Sequence, residues 1–271
     1  MQRKRAFPLI ALALLLAACG RKPQPPQNLS VTFFDVGQAD AALIRTPENE
    51  TILVDTGHNG RTAELLRQEG VSSIDLVVLS HAHADHTGGL AAILDAFPVR
   101  EIRYSGLDYR SSFRPLLGRA ERFEAVTAGA EKRFAKLTLT VLHPESLPLR
   151  PRSSSVNDHS LVLKVAYPTA QYLFPGDCEM ECWEDLFKYH RSELRADVLK
   201  AAHHGSETGT SSGVLGNVRP KTFVVSCGRG NEFGHPHEIV LKLVEALGAR
   251  IFRTDEQGTI RCLGTACAGA R

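Results

Sequence analysis

Alternating and continuous apolar runs divide this chain into strands and helices before any single residue is considered. Leu29–Val36 alternates apolar and polar positions and predicts a strand. Ala41–Arg45 and Thr51–Asp55 continue it as a meander of the kind found at a sandwich edge. Residues 61–69 space their apolar positions as an amphipathic helix. Residues 75–80, Asp-Leu-Val-Val-Leu-Ser, are a short apolar run that reads as a buried strand. Gly88-Gly89 then release the backbone into an apolar helix from Leu90 to Phe97. Leu137–Leu142, Leu161–Tyr167, Gln171–Phe174, Asp197–Ala202 and Thr222–Ser226 predict further strands. One helix starts near Glu179, and a second, with Pro236 in its first turn, runs to Leu247. Residues 253–260 form the last turn between strands. A meander followed by strand–helix alternation predicts a layered α/β sandwich.

The polar residues with chemistry sit where the strands end. The run 75–80 delivers His81-x-His83-x-Asp85-His86, three imidazoles and a carboxylate within six positions. Neutral imidazole nitrogen and carboxylate oxygen both suit Zn²⁺ or a similar divalent ion. His81 and His83, two apart, can share one ion, while Asp85 and His86 turn toward a second. Gly176 precedes Asp177 at the end of the strand 171–174, where a carboxylate can place one oxygen on each of two cations. The competing reading of Asp177 is a helix N-cap. Asp197–Ala202 ends in His203-His204-Gly-Ser206. Of this pair, His204 is expected to complete the second metal site and His203 to face the substrate.

His-x-His-x-Asp-His after a hydrophobic strand resembles the signature of the metallo-β-lactamase superfamily, and the other motifs resemble the hydrolase domain of ComEC-type DNA-internalisation competence proteins. The resemblance covers about residues 29–264 and implies a four-layer αββα sandwich. Asp35-Val-Gly-Gln-Ala-Asp-Ala41 is similar to the DVGQGDA opening of that family, with Ala39 in place of the second Gly. Gln38 and Asp40 could line the metal cleft, or simply tip a hairpin. The resemblance implies that Asp55 orients the ligand loops without binding metal. It also puts Asn157-Asp158-His159 where other members carry a third histidine, so any of these three could ligate the first metal, His159 among them. Asn231-x-x-Gly-His235-Pro-His237 is similar to an Asn-x-x-Gly-His-Pro-His element of the competence family. There His235 or His237 can close the cleft, or serve as a cap. Asp85, His203 and His237 are the residues expected at the chemistry.

Composition changes this picture at the N-terminus. Arg3-Lys4-Arg5 and the apolar Leu9–Ala18 predict an export signal over residues 1–18. Leu16-Ala17-Ala18-Cys19 resembles a bacterial lipoprotein signal, in which Cys19 is lipidated; an ordinary cleaved signal and an uncleaved anchor are the rival readings. The expected product faces the periplasm or the cell exterior, held to a membrane by lipid and a Pro-rich tether over residues 19–28, with residues 29–271 as the hydrolase domain. Loss of the three leader cations takes the formal charge from +2 to −1. No global basic field then draws in nucleic acid. Of the remaining cysteines, Cys262–Cys267 is the expected pair. Cys178 and Cys182 fall at helical spacing, which rarely suits a bridge.

Residues 98–152 are the least readable. Arg100, Arg103, Arg110, Arg114, Arg119, Arg122, Lys132, Arg133, Lys136, Arg150 and Arg152 outnumber the acids, and Tyr104, Tyr109 and Phe113 are interleaved. This reads as a charge-mixed surface, with a strip that holds a phosphodiester backbone as the alternative.

The ligand set predicts two divalent cations, Zn²⁺ or else Mn²⁺, and hydrolysis by a water activated between them. The resemblance points to a phosphodiester substrate, DNA included. Another hydrolase on the same fold, a phosphocholine esterase or a β-lactamase, is the second reading. A lipoprotein that keeps metal for stability is the third. No apolar run is long enough for the membrane-embedded channel domain of the competence proteins.

Overall fold

The computed structural model describes residues 26–106, 113–146 and 155–271. The export signal, Cys19 and all but the end of the tether lie outside the described residues, as do Asp108, Tyr109, Arg110, Arg150 and Arg152.

The meander is β1 (Ser30–Phe33), β2 (Ala42–Arg45) and β3 (Thr51–Val54), followed by helix α1 (Arg61–Gln68) and strand β4 (Leu76–Leu79). A single-turn helix α2 (Ala84–Thr87) carries the ligand loop into α3 (Leu90–Ala96). Next come β5 (Glu101–Tyr104), β6 (Arg122–Ala125), β7 (Glu131–Phe134), β8 (Leu137–His143), β9 (Val162–Tyr167) and β10 (Ala170–Phe174). The chain ends with α4 (Met180–Tyr189), β11 (Val198–Lys200), α5 (Ser212–Val218), β12 (Thr222–Val225), α6 (Glu238–Leu247), β13 (Arg250–Arg253), α7 (Thr254–Gln257), β14 (Ile260–Leu263) and β15 (Ala266–Gly269).

Two mixed sheets result. One has the order β15-β14-β1-β2-β3-β4-β5-β6, the other β13-β12-β11-β10-β9-β8-β7. Three apolar clusters make the layering visible. Val31, Ile44, Ile52, Leu76 and Val78 of the first sheet meet Leu139, Val165, Tyr172, Val198 and Val224 of the second. The opposite faces are covered by helices: Leu53, Val77 and Leu79 pack with Ala63, Leu66, Leu90 and Ile93 of α1 and α3. Leu173, Leu199, Phe223 and Val225 pack with Trp183 and Leu186 of α4, Leu215 of α5 and Val240 and Val244 of α6. Alternate residues of β4 thus serve two cores, which is why its sequence is apolar at every position. Each such fully buried Leu or Val contributes about 1.5–3 kcal/mol. The arrangement is the four-layer αββα sandwich.

Both expected and unexpected disulfides occur. Cys262 and Cys267 are register partners on β14 and β15 and are bonded. Cys178 and Cys182 are bonded as well, against expectation. Cys178 lies two residues before α4 begins, so the pair does not have helical geometry throughout, and its Cα separation of 5.4 Å falls in the bridging range.

The basic segment resolves into ion pairs. Glu101, fully buried on β5, receives Arg103 at 2.6 Å, Lys132 at 2.6 Å and Arg122. Arg119 pairs with Asp95, Arg133 with Glu131, Lys136 with Glu48 and Arg100 with Asp75. Apart from the three cations on buried Glu101, these pair with acids at the surface. Among the described residues no helix is long and apolar enough to cross a membrane.

Candidate metal centre

The ends of β4, β10, β11 and β12 converge on one cluster. After β4 the chain turns through Ser80 and His81 into α2, and this loop is tied down on the meander side. Thr56 N–H donates to His86 C=O at 2.7 Å, and Gly89 N–H to Gly57 C=O at 2.9 Å. The approach is so close that a Cβ on Gly89 would stand 2.1 Å from the Thr56 carbonyl oxygen, so only glycine fits. Gly176, at φ +57°, plays the same part before Asp177: a Cβ there would lie 2.8 Å from the Ser80 Cβ. His203 and His204 both adopt left-handed backbone, at φ 46° and 53°. Two consecutive non-glycine residues there cost roughly 1–3 kcal/mol each, strain of the sort found at functional sites.

Two ligand groups form. Asp85, His86, Asp177 and His204 offer atoms within 4.8 Å of one another, and so do His81, His83 and Asp177. In the first, His86 Nε2 lies 3.2 Å from Asp177 Oδ1, and His204 Nε2 lies 3.2 Å from Asp85 Oδ2. In the second, His81 Nε2 is 3.0 Å from His83 Nδ1 and 3.7 Å from Asp177 Oδ2. Asp177 belongs to both, with Oδ1 toward His86 and Oδ2 between His81 and His204. Its backbone N–H donates to Ser160 Oγ at 3.0 Å, and the N-cap position of α4 is Glu179, so Asp177 is not the cap.

Groups behind the imidazoles hold their direction. Asp55 accepts from His86 Nδ1–H at 2.8 Å and from Ser80 N–H and Oγ–H, both at 2.8 Å. His204 Nδ1–H donates to the Ser226 carbonyl at 2.9 Å, with Asp40 Oδ1 at 3.5 Å. Each ring therefore turns Nε2 toward the cluster, as a metal-ligating histidine does. Asp40, Asp55 and His86 also lie close enough to look like a third group. However, Lys200 Nζ occupies Asp40 at 2.8 Å and Asp55 is filled by His86 and Ser80, so this set is the support of the other two.

Electrostatics favour added positive charge here. Burial opposes charge on His86, yet the Asp177 and Asp55 carboxylates hold its pKa well above the ordinary imidazole value. His204 is likewise raised to about 10, burial being overcome by Asp177 and Asp40. Burial would raise the Asp85 pKa, but the hydrogen bond from His204 and the charge on His86 bring it down to about 2. Burial and the neighbouring His86 keep His81 well below its usual value, in the neutral form that binds metal. His86 Nε2 and Asp177 Oδ1 are buried without hydrogen-bond partners, facing each other. Such atoms in a His/Asp cluster fit a divalent cation.

A sequence profile described as the Metallo-beta-lactamase superfamily matches residues 34–229. The chain belongs to the metallo-β-lactamase superfamily. Its fold is similar to that of the superfamily protein YhfI of Bacillus subtilis, with a TM-score of 0.60 at 13% identity over 87% of this chain and 100% of that one. The metal-dependent hydrolase Tm1679 gives 0.56 at 14% identity, over 89% of this chain and 99% of that one. Among curated relatives, Recombination protein 2 of Haemophilus influenzae is 33% identical over 94% of this chain and 31% of its own length. Competence protein ComA of Neisseria gonorrhoeae is 31% identical over 93% of this chain and 35% of its own. ComE operon protein 3 of Bacillus subtilis is 29% identical over 85% of this chain and 32% of its own. The chain thus spans about a third of the length of these relatives. It is a superfamily hydrolase related to competence proteins, with a His/Asp metal site.

Within that superfamily frame, Asp158, His159 and His237 are placed elsewhere. Asp158 and His159, on the turn Asn157–His159, belong to neither ligand group. Asp158 Oδ1 instead accepts from Glu179 N–H and Cys182 N–H, each at 3.2 Å, and so caps α4, while Asn157 and His159 are buried in the same turn. His237 has both ring nitrogens engaged, Nδ1 accepting from Glu207 N–H at 3.1 Å and Nε2–H donating to Phe233 C=O at 3.3 Å. It fastens a loop and is not free to act at the centre. His235 is the ring beside His203, at 5.4 Å between centroids; burial and the neighbouring His203 lower its pKa to about 4. Gln38 bridges loops by accepting from Gly228 N–H at 3.0 Å.

The sequence reading missed two supporting residues. Lys200 sits within an apolar strand, and a lysine there signals a buried charge with a partner. Glu179 accepts from His203 Nδ1–H at 3.0 Å and from Thr208 Oγ–H at 2.7 Å, and no pattern in the sequence marks it.

Proposed function

We propose that this chain is a dinuclear metal-dependent phosphodiesterase, acting on nucleic acid, and that lipid on Cys19 holds it to a membrane outside the cytoplasm. His81, His83 and Asp177 would hold one cation; Asp85, His86, Asp177 and His204 would hold the other, with zinc suited to this nitrogen-rich set. Divalent cations bound there would lower the pKa of a water toward neutrality and polarise a phosphoryl group.

The observation that carries the substrate class is the place of His203. Its Nε2 stands 3.8 Å from the shared Asp177 Oδ2, and its ring is one-quarter exposed. Glu179 fixes the ring's direction from behind. When protonated at Nε2, His203 presents an N–H to a phosphoryl or leaving-group oxygen beside the ligand groups. A tetrahedral phosphoryl group has enough oxygens to use both ligand groups and this donor together. The names of the relatives, a recombination protein and competence proteins, support DNA as the polymer.

The test is His203→Ala, assayed for bis-p-nitrophenyl phosphate turnover and for metal content. Turnover should fall about 10²–10³-fold with metal content unchanged. Loss of metal in parallel would make His203 a ligand, and unchanged turnover would remove it from the reaction. For the tether, Cys19→Ala should abolish lipid labelling and shift the protein to the soluble fraction; unchanged membrane partitioning would contradict that part.

A further inference from the structure

The loop between β12 and α6 presents an aromatic face that the metal site itself does not use. Phe233 is 57% exposed and belongs to none of the three apolar clusters. Its ring is stacked on His235, 5.7 Å between centroids and 25° between planes. His235 in turn stacks on the ligand-group residue His204 at 6.4 Å and 25°. Phe233, His235 and His204 are thus linked pairwise by stacked rings, each pair tilted by 25°, with Phe233 the exposed member.

The loop that carries this row is held rigidly. Asn231 donates through Nδ2 to Gly228 C=O at 2.9 Å and to His235 C=O at 2.6 Å, and accepts from His235 N–H at 3.0 Å. His237 ties the Phe233 carbonyl to the Gly205–Glu207 turn. These bonds fix the backbone that carries the Phe233 ring, which lowers the entropy lost on binding.

We propose that Phe233 is the platform on which a nucleobase of a single-stranded nucleic acid stacks when the adjoining phosphodiester lies at the metal centre. The proposal rests on the phosphodiesterase reading for the position of that phosphodiester. Planarity selects the ligand: an exposed ring already stacked on a second ring is extended by another flat ring, whereas an acyl chain needs a concave apolar groove. Charge selects the strand state. With the leader removed the chain has a formal charge of −1, so affinity for a polyanion must come from local contacts, and stacking is one that every base supplies. A base paired within a duplex has no free face, so a single strand fits.

Binding to the metal-loaded full chain tests this without turnover. Two fluorescein-labelled strands of equal length with cleavage-resistant phosphorothioate linkages are compared, one an oligothymidylate and one abasic at every position. Wild type should bind the base-bearing strand on the order of tenfold more tightly. Phe233→Ala should abolish that difference and leave abasic binding unchanged, and Phe233→Trp should restore it. Equal wild-type binding to the two strands, or an equal loss for both in Phe233→Ala, would overturn the proposal. Base-dependent binding without cleavage of any phosphodiester would uphold Phe233 as the platform while ending the phosphodiesterase reading.

Discussion

Two regions of this molecule bury charge, and they do so in opposite ways. Around Glu101, one fully buried carboxylate meets three cations, and both its oxygens are hydrogen bonded. At the metal centre four carboxylates, Asp40, Asp55, Asp85 and Asp177, meet one fixed cation, Lys200, and the imidazoles. There His86 Nε2, Asp177 Oδ1 and Asp40 Oδ1 have no hydrogen-bond partners. A buried charge satisfied by its own chain does structural work. A buried cluster with surplus carboxylate and orphaned atoms is completed by something added. The first region joins β5, β6 and β7; the second binds.

The largest break in this contrast is Asp177→Asn. It removes the charge that both ligand groups share, so bound metal should fall together with turnover, the latter by on the order of 10³-fold or more. Elemental analysis and initial rates measure the two; a variant that keeps full metal and normal rates would deny Asp177 its bridging place. Asp40→Asn is expected to do less. It loosens the support behind His204 and strands Lys200, so metal affinity should drop about 10–100-fold, read by competition with a chromophoric chelator. Unchanged affinity would show that Asp40 serves only the fold.

Glu101→Gln sharpens the comparison from the other side. Metal affinity should not change, while stability falls by on the order of 1–2 kcal/mol, reduced from the full shift because Arg122 is mostly solvent exposed. Burial alone would raise the Glu101 pKa, but Lys132, Arg122 and Arg103 bring it from an ordinary 4.5 down to about 2. A depressed carboxylate stabilises fully above its unfolded value, and the contribution fades as pH falls from about 4.5 toward 2. Denaturant midpoints across that window should therefore slope less in Glu101→Gln than in wild type. Equal slopes would mean that Glu101 is not the group that titrates.

The two regions also differed in how far the sequence disclosed them. The ligand loop was legible because β4 is buried on both faces, which forces an unbroken apolar run ending at His81. Asp177 and His204 were legible for the same reason, each following a strand that feeds the cluster. The support was not. Lys200 looks like a break in an apolar strand until Asp40, 160 positions away, is seen against it, and Glu179 reaches His203 only through the tertiary fold. Asp158 stood beside Asn157 and His159 as a candidate for the first metal because a motif alone does not say which way a turn faces; two amides of α4 take its carboxylate instead. The edge strands β6 and β7 were hidden because their exposed faces carry Arg, Lys and Glu, which blur the alternation, and β5 because it buries a charged Glu101 where an apolar residue is expected.

The central claim is that this His/Asp cluster performs metal-dependent phosphodiester hydrolysis. The most direct measurement is kcat/KM of the metal-loaded, metal-analysed protein for bis-p-nitrophenyl phosphate and for nitrocefin, before and after chelator treatment. Metal-dependent cleavage of the phosphodiester, with nitrocefin turned over negligibly, is the predicted result. Faster hydrolysis of nitrocefin, or phosphodiester cleavage that survives complete removal of metal, would contradict it.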